Sequence, residues 1–152
     1  MGRTAITTNI FVITLVCSAL NIASAQQAQP ESIDWQDDAE AAVQMAKNDK
    51  RPLLVYVTAA DCLHCRTMEK RTWRNAAVVR AVEENYVPLR LTAEKHGKSI
   101  RQLNVQAFPT TILLTSQIKI HNAAVGMLSP DELSQLLSRG PATVAQQPVP
   151  RQ

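Results

Sequence analysis

Two cysteines separated by two residues are the part of this sequence best suited to chemistry. Cys62 and Cys65 follow an apolar run that ends at Thr58, and Cys62 lies where the next helix is predicted to begin. A sulfur at a helix N-terminus faces unpaired backbone N–H groups and the positive end of the helix dipole, which favour thiolate over thiol. Because Cys65 lies three residues further on, both sulfurs share one helix face within bonding reach. The first could then attack a substrate disulfide, and the second could resolve the mixed disulfide.

The same cysteine spacing is also half of a zinc site, which needs a second pair of ligands. The histidines that would supply them, His64, His96 and His121, are scattered without ligand spacing. Copper held by the two thiolates, with His64 as a further ligand, is a related alternative for an exported protein. We therefore predict no metal site and no cofactor, and we keep a copper or zinc binding and delivery module as an alternative function.

Residues 1–25 have the layout of a secretory signal peptide. Arg3 supplies a positive charge, an apolar run follows over Ile10–Leu20, and the small residues Ala23-Ser24-Ala25 form a cleavage site. The apolar run is too short to span a bilayer comfortably, although an uncleaved anchor remains an alternative. We expect cleavage near Ala25 and a periplasmic or secreted protein.

Signal cleavage would leave the cysteine pair as the only thiols of the mature protein. Of the three cysteines, Cys17 lies in the predicted signal. A disulfide between residues this close in sequence closes too small a loop to staple a fold. In an oxidising compartment the pair therefore indicates chemistry rather than scaffolding.

The elements before the cysteines follow from hydrophobic periodicity. Residues 26–31 are polar and patternless, which predicts a linker. A helical period then begins at Ser32, places Trp35 on its apolar face and ends before Pro52. The run Leu53–Val57 is apolar without alternation, as in a strand buried on both faces.

The elements after the cysteines are predicted from the same patterns. In chain order they are a helix through about Arg71, a helix capped by Asn75, a strand over Val87–Leu91, a short helix over Ser99–Leu103, and strands over Thr110–Leu114 and Ile118–Val125. A tight turn at Ser116-Gln117 would join the last two strands in a hairpin. Ser129 and Glu132 predict a capping box on a final helix, which Gly140-Pro141 ends. The tail, residues 141–152, is rich in Gln and Pro and is predicted to be disordered.

This order of elements predicts an α/β domain over residues 32–140, with a mixed sheet of four or five strands and helices on both faces. Trp35 and Trp73 are predicted to pack at its edge. The chain carries 16 basic and 13 acidic residues, a balance that gives no indication of nucleic-acid binding. Basic residues after the cysteines are predicted to form a solvated helix face: Arg66, Lys70, Arg71 and Arg74. Without an obvious apolar surface helix, we expect a monomer.

Motifs in this order resemble the thioredoxin superfamily over about Ser32–Gly140. They are a strand followed by CxxC at a helix start, Phe108-Pro109-Thr110 opening a later strand, and Val125-Gly126-Met127-Leu128-Ser129 before the last helix. The upstream tryptophan, the Lys-Arg-Pro-Leu-Leu-Val entry and the Cys-x-His-Cys-Arg run are most similar to exported thioredoxin-like domains. Those domains are related to the C-terminal domain of the bacterial transmembrane thiol:disulfide interchange protein.

The resemblance implies a role for each matching residue. Cys62 would be the nucleophile and Cys65 the buried resolving thiol. Pro109 would be a cis-proline beside the disulfide, Phe108 would offer its backbone to an extended substrate peptide, and Gly126 would keep that surface open. The implied activity is thiol–disulfide exchange with protein or peptide thiols and disulfides, with a membrane-bound thiol reductase as a possible further partner. A non-catalytic peptide binder with a static disulfide is the remaining alternative.

One departure from thioredoxin itself concerns the proton acceptor of the resolving thiol. The buried carboxylate of thioredoxin would fall at Tyr56, and its lysine partner at about Pro88. The usual acceptor is therefore missing, and the sequence does not place Glu69 or Glu94 closely enough to name a substitute.

A second departure leaves the redox direction open. Asp61 stands where thioredoxin has a tryptophan, and Leu63-His64 replaces its Gly-Pro between the cysteines. A cationic His64 would stabilise the Cys62 thiolate and make the pair more oxidising, whereas Asp61 would raise the thiol pKa again. Oxidase, reductase and isomerase directions all remain open.

Overall fold

The computed structural model describes residues 32–139. The predicted signal peptide (residues 1–25), linker (26–31) and tail (141–152) lie outside the described residues, as does the last residue of the predicted domain. In the described part, no helix has both the length and the apolar character that crossing a membrane requires.

Five helices and four strands form an α/β fold in the described range. In chain order they are α1 (Ala39–Asn48), β1 (Leu53–Thr58), α2 (Leu63–Arg71), α3 (Ala76–Asn85), β2 (Val87–Thr92), α4 (Gly97–Gln102), β3 (Thr110–Leu114), β4 (Ile120–Val125) and α5 (Pro130–Ser138). The sheet order is β2-β1-β3-β4, with β1 parallel to β2 and antiparallel to β3, and with β3 antiparallel to β4. The predicted mixed sheet is confirmed, with four strands.

Alternate residues of β1 point into hydrophobic clusters on opposite faces of the sheet. Leu54 and Tyr56 pack with α2, α3 and α5, whereas Leu53, Val55 and Val57 pack with α1 and α4. All six residues of β1 are buried, because the strand is flanked by β2 and β3 and covered on both faces. The strand is therefore held on every side, and the loop that leads to α2 starts from a fixed position.

Local capping signals set the starts of α3 and α5 as predicted. The Asn75 side chain accepts hydrogen bonds from the backbone N–H groups of Ala77 and Val78 at the start of α3. Ser129 and Glu132 form the reciprocal capping box at the start of α5. These interactions span two or three residues, so the sequence alone specifies them.

The helix predicted from Ser32 begins later, at Ala39. The segment before it joins the sheet instead: the N–H of Gln36 donates to the carbonyl of Pro88 at 2.9 Å, and the N–H of Arg90 donates to the carbonyl of Gln36 at 2.8 Å. Asp38 then caps α1 with its side chain. The helical prediction for Trp35 was wrong because pairing with β2 overrides the local pattern.

The predicted hairpin and its Ser116-Gln117 turn are confirmed, but the predicted strand start was wrong. The N–H of Ile118 donates to the carbonyl of Thr115 at 2.8 Å, which closes a turn with Ser116 and Gln117 at its centre, and the N–H of Thr115 donates to the carbonyl of Lys119 at 2.9 Å. Ile118 follows this turn with φ of 62°, a left-handed conformation that β-branched residues rarely adopt. β4 consequently begins at Ile120.

The two tryptophans are not equivalent edge residues. Trp73 is only 4% exposed and belongs to the cluster formed with α2, α3 and α5. Its ring centroid lies 5.1 Å from that of Tyr56 and 5.0 Å from that of the half-buried Trp35. Trp73 is therefore a core residue, because the chain turns inward after α2.

Candidate active site

Cys62 and Cys65 form a disulfide at the start of α2, with their Cα atoms 5.2 Å apart. Cys62 is the N-cap residue of the helix, and its Sγ accepts a hydrogen bond from the backbone N–H of Cys65 at 3.1 Å. Cys62 is partly exposed, whereas Cys65 is fully buried. Only Cys62 is open to an incoming sulfur, and it lies at the helix end that stabilises a thiolate.

Two side chains hold the loop between β1 and Cys62 by bonding the backbone of Ala60. Its N–H donates to Oε1 of Glu94 at 2.8 Å, and its carbonyl accepts from Nη1 of Arg66 at 3.1 Å. The hydrogen bond from Ala60 holds the pKa of Glu94 below its usual value. Glu94 thus serves as an anchor for the loop that carries the nucleophile.

The sheet register brings Pro109 and Gly126 to the end of β1 from which this loop departs. Thr110 pairs with Val57 on one side and with Val125 on the other, so the residues flanking these pairs lie at the same edge. The N–H of Gly126 donates to the carbonyl of Pro109 at 2.8 Å. Both residues were predicted to belong to the site, and the fold places them together.

The Phe108–Pro109 peptide bond is cis. Pro109 is buried, and Phe108 is partly buried with its side chain against the cluster formed with α1 and α4. Gly126 has φ of +99°, and a Cβ added there would meet nothing within 4 Å. Backbone conformation, rather than crowding, therefore explains the glycine at this position.

A family model described as thioredoxin-like matches residues 34–116, more than half of the chain. The chain belongs to the thioredoxin-like family. Among curated proteins, an uncharacterized protein of Caenorhabditis elegans is 30% identical over 63 residues, which cover 41% of this chain. This chain spans only 9% of that relative's length.

Solved structures show the same fold at low sequence identity. A thioredoxin from Thermus thermophilus is similar with a TM-score of 0.65 and 19% identity, covering 71% of this chain and 86% of its own. The DsbH oxidoreductase has a TM-score of 0.64 and 17% identity, with coverage of 80% and 94%. The reduced C-terminal domain of Neisseria meningitidis DsbD has a TM-score of 0.57 and 17% identity, with coverage of 66% and 92%.

Beneath the disulfide, this thioredoxin-like protein has a tyrosine. Tyr56 is fully buried, and its hydroxyl donates to the backbone carbonyl of Cys65 at 3.3 Å. Burial is the main cause that raises the pKa of Tyr56 to about 12. The hydroxyl therefore stays protonated at neutral pH and cannot take a proton from the resolving thiol.

A cavity of about 210 Å³ beside Tyr56 is lined by one carboxylate side chain and two arginine side chains. Glu69 lines it with Arg74 and Arg90, and Oγ1 of Thr58 lies 3.4 Å from Oε1 of Glu69. Glu69 is therefore the carboxylate on the side of α2 that faces Tyr56, a position that the sequence alone did not assign. The β1–β2 register pairs Tyr56 with Arg90. A basic residue thus lies beside Tyr56, two positions beyond Pro88, where the lysine of thioredoxin was predicted to fall.

His64 and Asp61 lie on either side of Cys62, and both are exposed. Within residues 32–139 neither side chain makes a hydrogen bond or an ion pair. Each can act on the Cys62 sulfur only through its charge, so redox tuning by His64 stays a prediction.

A metal centre would need ligands beyond the two cysteines. The described part of the chain contains no group of three or more His, Cys, Asp or Glu side chains that could hold a metal ion. The Nε2 atoms of His96 and His121 lie 2.8 Å and 2.9 Å from the backbone carbonyls of Asp37 and Arg139. These two histidines have structural partners away from the disulfide.

Proposed function

We propose that this protein is a thiol–disulfide oxidoreductase that acts on cysteines of polypeptide substrates outside the cytoplasm. The observation that carries the proposal is the asymmetric disulfide: Cys62 is partly exposed at a helix N-cap, whereas its partner Cys65 is buried. The predicted signal peptide supports the location, and an oxidising compartment suits a reversible disulfide.

The proposed exchange starts from the reduced pair. The Cys62 thiolate attacks one sulfur of a substrate disulfide, and the other substrate sulfur leaves as a thiolate. The Cys65 thiolate then attacks Cys62, which releases the second substrate sulfur and regenerates the disulfide seen in the structure. The oxidase direction is the reverse sequence, and a membrane-bound thiol reductase would be the electron source for the reductase direction.

The substrate segment would lie across Phe108, Pro109 and Gly126. These residues lie at the sheet edge from which the nucleophile's loop departs. An extended peptide can pair with exposed backbone there, which suits substrates that differ in side chains. Gly126 has no side chain, which leaves this edge open, and its positive φ disfavours any other residue there.

Insulin reduction by dithiothreitol tests the activity. Wild-type protein should accelerate insulin precipitation, and Cys62→Ser should reduce the rate to the uncatalysed level while leaving the circular dichroism spectrum unchanged. Cys65→Ser is the matched control, because it keeps the nucleophile and should trap substrates as stable mixed disulfides. Undiminished activity of Cys62→Ser would overturn the proposal, and a well-folded wild type without turnover would favour a static peptide binder.

The redox direction requires the reduction potential of the Cys62–Cys65 couple. Equilibration with glutathione, followed by alkylation of free thiols, gives this potential. A value of about −120 mV would indicate an oxidase or isomerase, and a value of about −270 mV would indicate a reductase. Metal content after purification tests the remaining alternative, since copper or zinc bound in stoichiometric amount would support a delivery module.

A further inference from the structure

A groove of about 480 Å³ lies between α2 and the segment that precedes α5. Thr67 and Arg71 line one wall, and they share a helix face with Leu63, which follows Cys62 directly. Met127 lines the opposite wall, next to the glycine bonded to the cis-proline. The groove therefore starts one helical turn beyond Leu63 and continues along α2.

The two walls of the groove are hydrogen-bonded to each other. Oγ1 of Thr72, a buried residue, donates to the carbonyl of Leu128 at 2.6 Å. Oγ1 of Thr67 is used within the helix, where it donates to the carbonyl of Leu63 at 3.0 Å. Ser129 is held by the capping box. With these polar groups occupied, the walls offer mainly apolar surface to a partner.

Two exposed apolar side chains lie at the end of the groove that is closer to Cys62. Leu63 is 66% exposed and Met127 is 45% exposed. Isolated exposed apolar residues need no explanation, but one of these two follows Cys62 directly and the other follows Gly126, which is bonded to the cis-proline. An apolar side chain of a bound segment would cover them.

The end of the groove that is farther from Cys62 is positively charged. Besides its histidine, α2 carries Arg66, Lys70 and Arg71 against one acid, Glu69. Arg66 is bonded to the carbonyl of Ala60, whereas Arg71 makes no hydrogen bond or ion pair within residues 32–139.

Two acidic residues follow the opposite wall, which ends at Pro130. The carboxylate of Glu132 is already bound by the N–H and hydroxyl groups of Ser129, and the exposed Asp131 lies in the first turn of α5. Arg71 is therefore the groove-lining cation available to a partner.

We propose that this groove binds the extended polypeptide segment beside the substrate cysteine, with an apolar side chain against Met127 and an acidic side chain paired with Arg71. The proposal rests on the oxidoreductase function above and names its preferred substrates. From Leu63 to Arg71 the helix rises about 12 Å, which an extended chain covers in about four residues. The acidic residue should therefore lie about four positions from the reacting cysteine.

Activated peptides test this preference in a single covalent step. Each peptide carries one cysteine as a mixed disulfide with thionitrobenzoate and a leucine beside it, and has Glu, Gln or Lys four residues away on both sides. Reduced protein attacks the peptide sulfur through Cys62, and coloured thionitrobenzoate leaves as the thiolate. The Glu peptide should react roughly two- to fivefold faster than the Lys peptide at low ionic strength, the range of an exposed ion pair, and salt should narrow the difference.

Charge reversal supplies the matched controls. Arg71→Glu should make the Lys peptide react faster than the Glu peptide, and Arg71→Gln should make the two rates equal. Lys119→Glu makes the same change in charge at an exposed residue of the β3–β4 turn, and it should leave the Glu peptide reacting faster than the Lys peptide. Met127→Ala should slow the leucine peptides but not versions with glycine beside the cysteine.

The failure of this inference differs from the failure of the proposed function. Hydroxyethyl disulfide is small and neutral, so its reaction with the reduced protein does not require the groove. If it and all peptides fail to react, the oxidoreductase function is wrong. If it reacts and the Glu, Gln and Lys peptides react at one rate in both wild type and Arg71→Glu, the groove proposal is overturned.

Discussion

At the scale of single residues, one backbone conformation and one hydroxyl group distinguish the surroundings of this disulfide. Gly126 adopts a positive φ beside the cis-proline, and Tyr56 supplies the hydroxyl beneath Cys65. The sequence located both residues through a resemblance, but it could not show the hydrogen bonds. For each residue, a substitution allows the effect on stability to be measured separately from any effect on thiol–disulfide exchange.

Replacing Gly126 by alanine should destabilise the protein through its backbone. A Cβ would meet no atom within 4 Å, so the cost comes from φ of +99°, which L-residues disfavour. We expect a loss of about 1–3 kcal/mol in the free energy of unfolding, measured by urea denaturation. Gly97→Ala, at ordinary φ and with Arg101 Nη1 at 3.4 Å from the new Cβ, is the control and should be near neutral. Equal losses in both variants would contradict this explanation.

Replacing Tyr56 by phenylalanine should leave thiol–disulfide turnover intact. Because burial raises the pKa of Tyr56 to about 12, the hydroxyl remains protonated and does not titrate with the resolving thiol. Loss of its hydrogen bond to Cys65 should lower the free energy of unfolding by about 1 kcal/mol. Turnover measured across the neutral pH range should match wild type. A tenfold loss of turnover in the folded variant would give the hydroxyl a role in proton transfer.

At the scale of elements, the capped starts of α3 and α5 were predictable, and the backbone pairing of distant segments was not. Ser129 and Glu132 are close in sequence, so their capping box is visible as a motif. Gln36 instead pairs with backbone groups of β2, whose position depends on the whole fold. The same holds for the bond between Glu94 and Ala60, which joins two loops. The start of α1 at Ala39 and the anchoring of the Ala60 loop by Glu94 thus depend on contacts between distant segments, which the sequence did not show.

The capping box of α5 predicts a specific pH dependence. Hydrogen bonds from the N–H and hydroxyl of Ser129 hold the pKa of Glu132 below the usual 4.5. A carboxyl with a lowered folded-state pKa stabilises the protein above its unfolded pKa, and this stabilisation is lost as the pH falls through the folded value. The urea midpoint should therefore fall with pH below about 4.5, and the fall should be shallower in Glu132→Gln.

Ser129→Ala provides the complementary measurement on the same cap. It removes both the hydroxyl that bonds Glu132 and the N-cap acceptor, and it should cost about 1 kcal/mol at neutral pH. If Glu132→Gln and wild type lose stability in parallel on acidification, the capping carboxylate is not responsible for the acid sensitivity. Asp37 and Glu94, whose pKa values are also lowered, would then be the groups to change next.

At the scale of the whole molecule, the central strand joins two hydrophobic clusters into one unit. Leu54 is fully buried in the cluster with α2, α3 and α5, and Leu53 is 2% exposed in the cluster with α1 and α4. Successive residues of β1 face opposite sides of the sheet, and both sides are buried, which is why the run is apolar without a break. The sequence could therefore predict a strand buried on both faces, but not which helices cover each face.

Truncation on either side of β1 should shift one shared unfolding transition. Leu54→Ala and Leu53→Ala should each lower the free energy of unfolding by about 2–5 kcal/mol, since each leaves a cavity in a packed cluster. Scanning calorimetry should show one transition in both variants, with equal calorimetric and van't Hoff enthalpies. Two separate transitions in either variant would show that the faces unfold independently.

The aromatic group beneath the disulfide has a practical consequence. Trp73 and Trp35 flank Tyr56, whose hydroxyl touches the backbone of Cys65. A disulfide quenches a nearby excited indole by accepting an electron from it, and a dithiol does so far less. We therefore expect the tryptophan emission to brighten on reduction, so that thiol–disulfide exchange with a substrate can be followed without a dye.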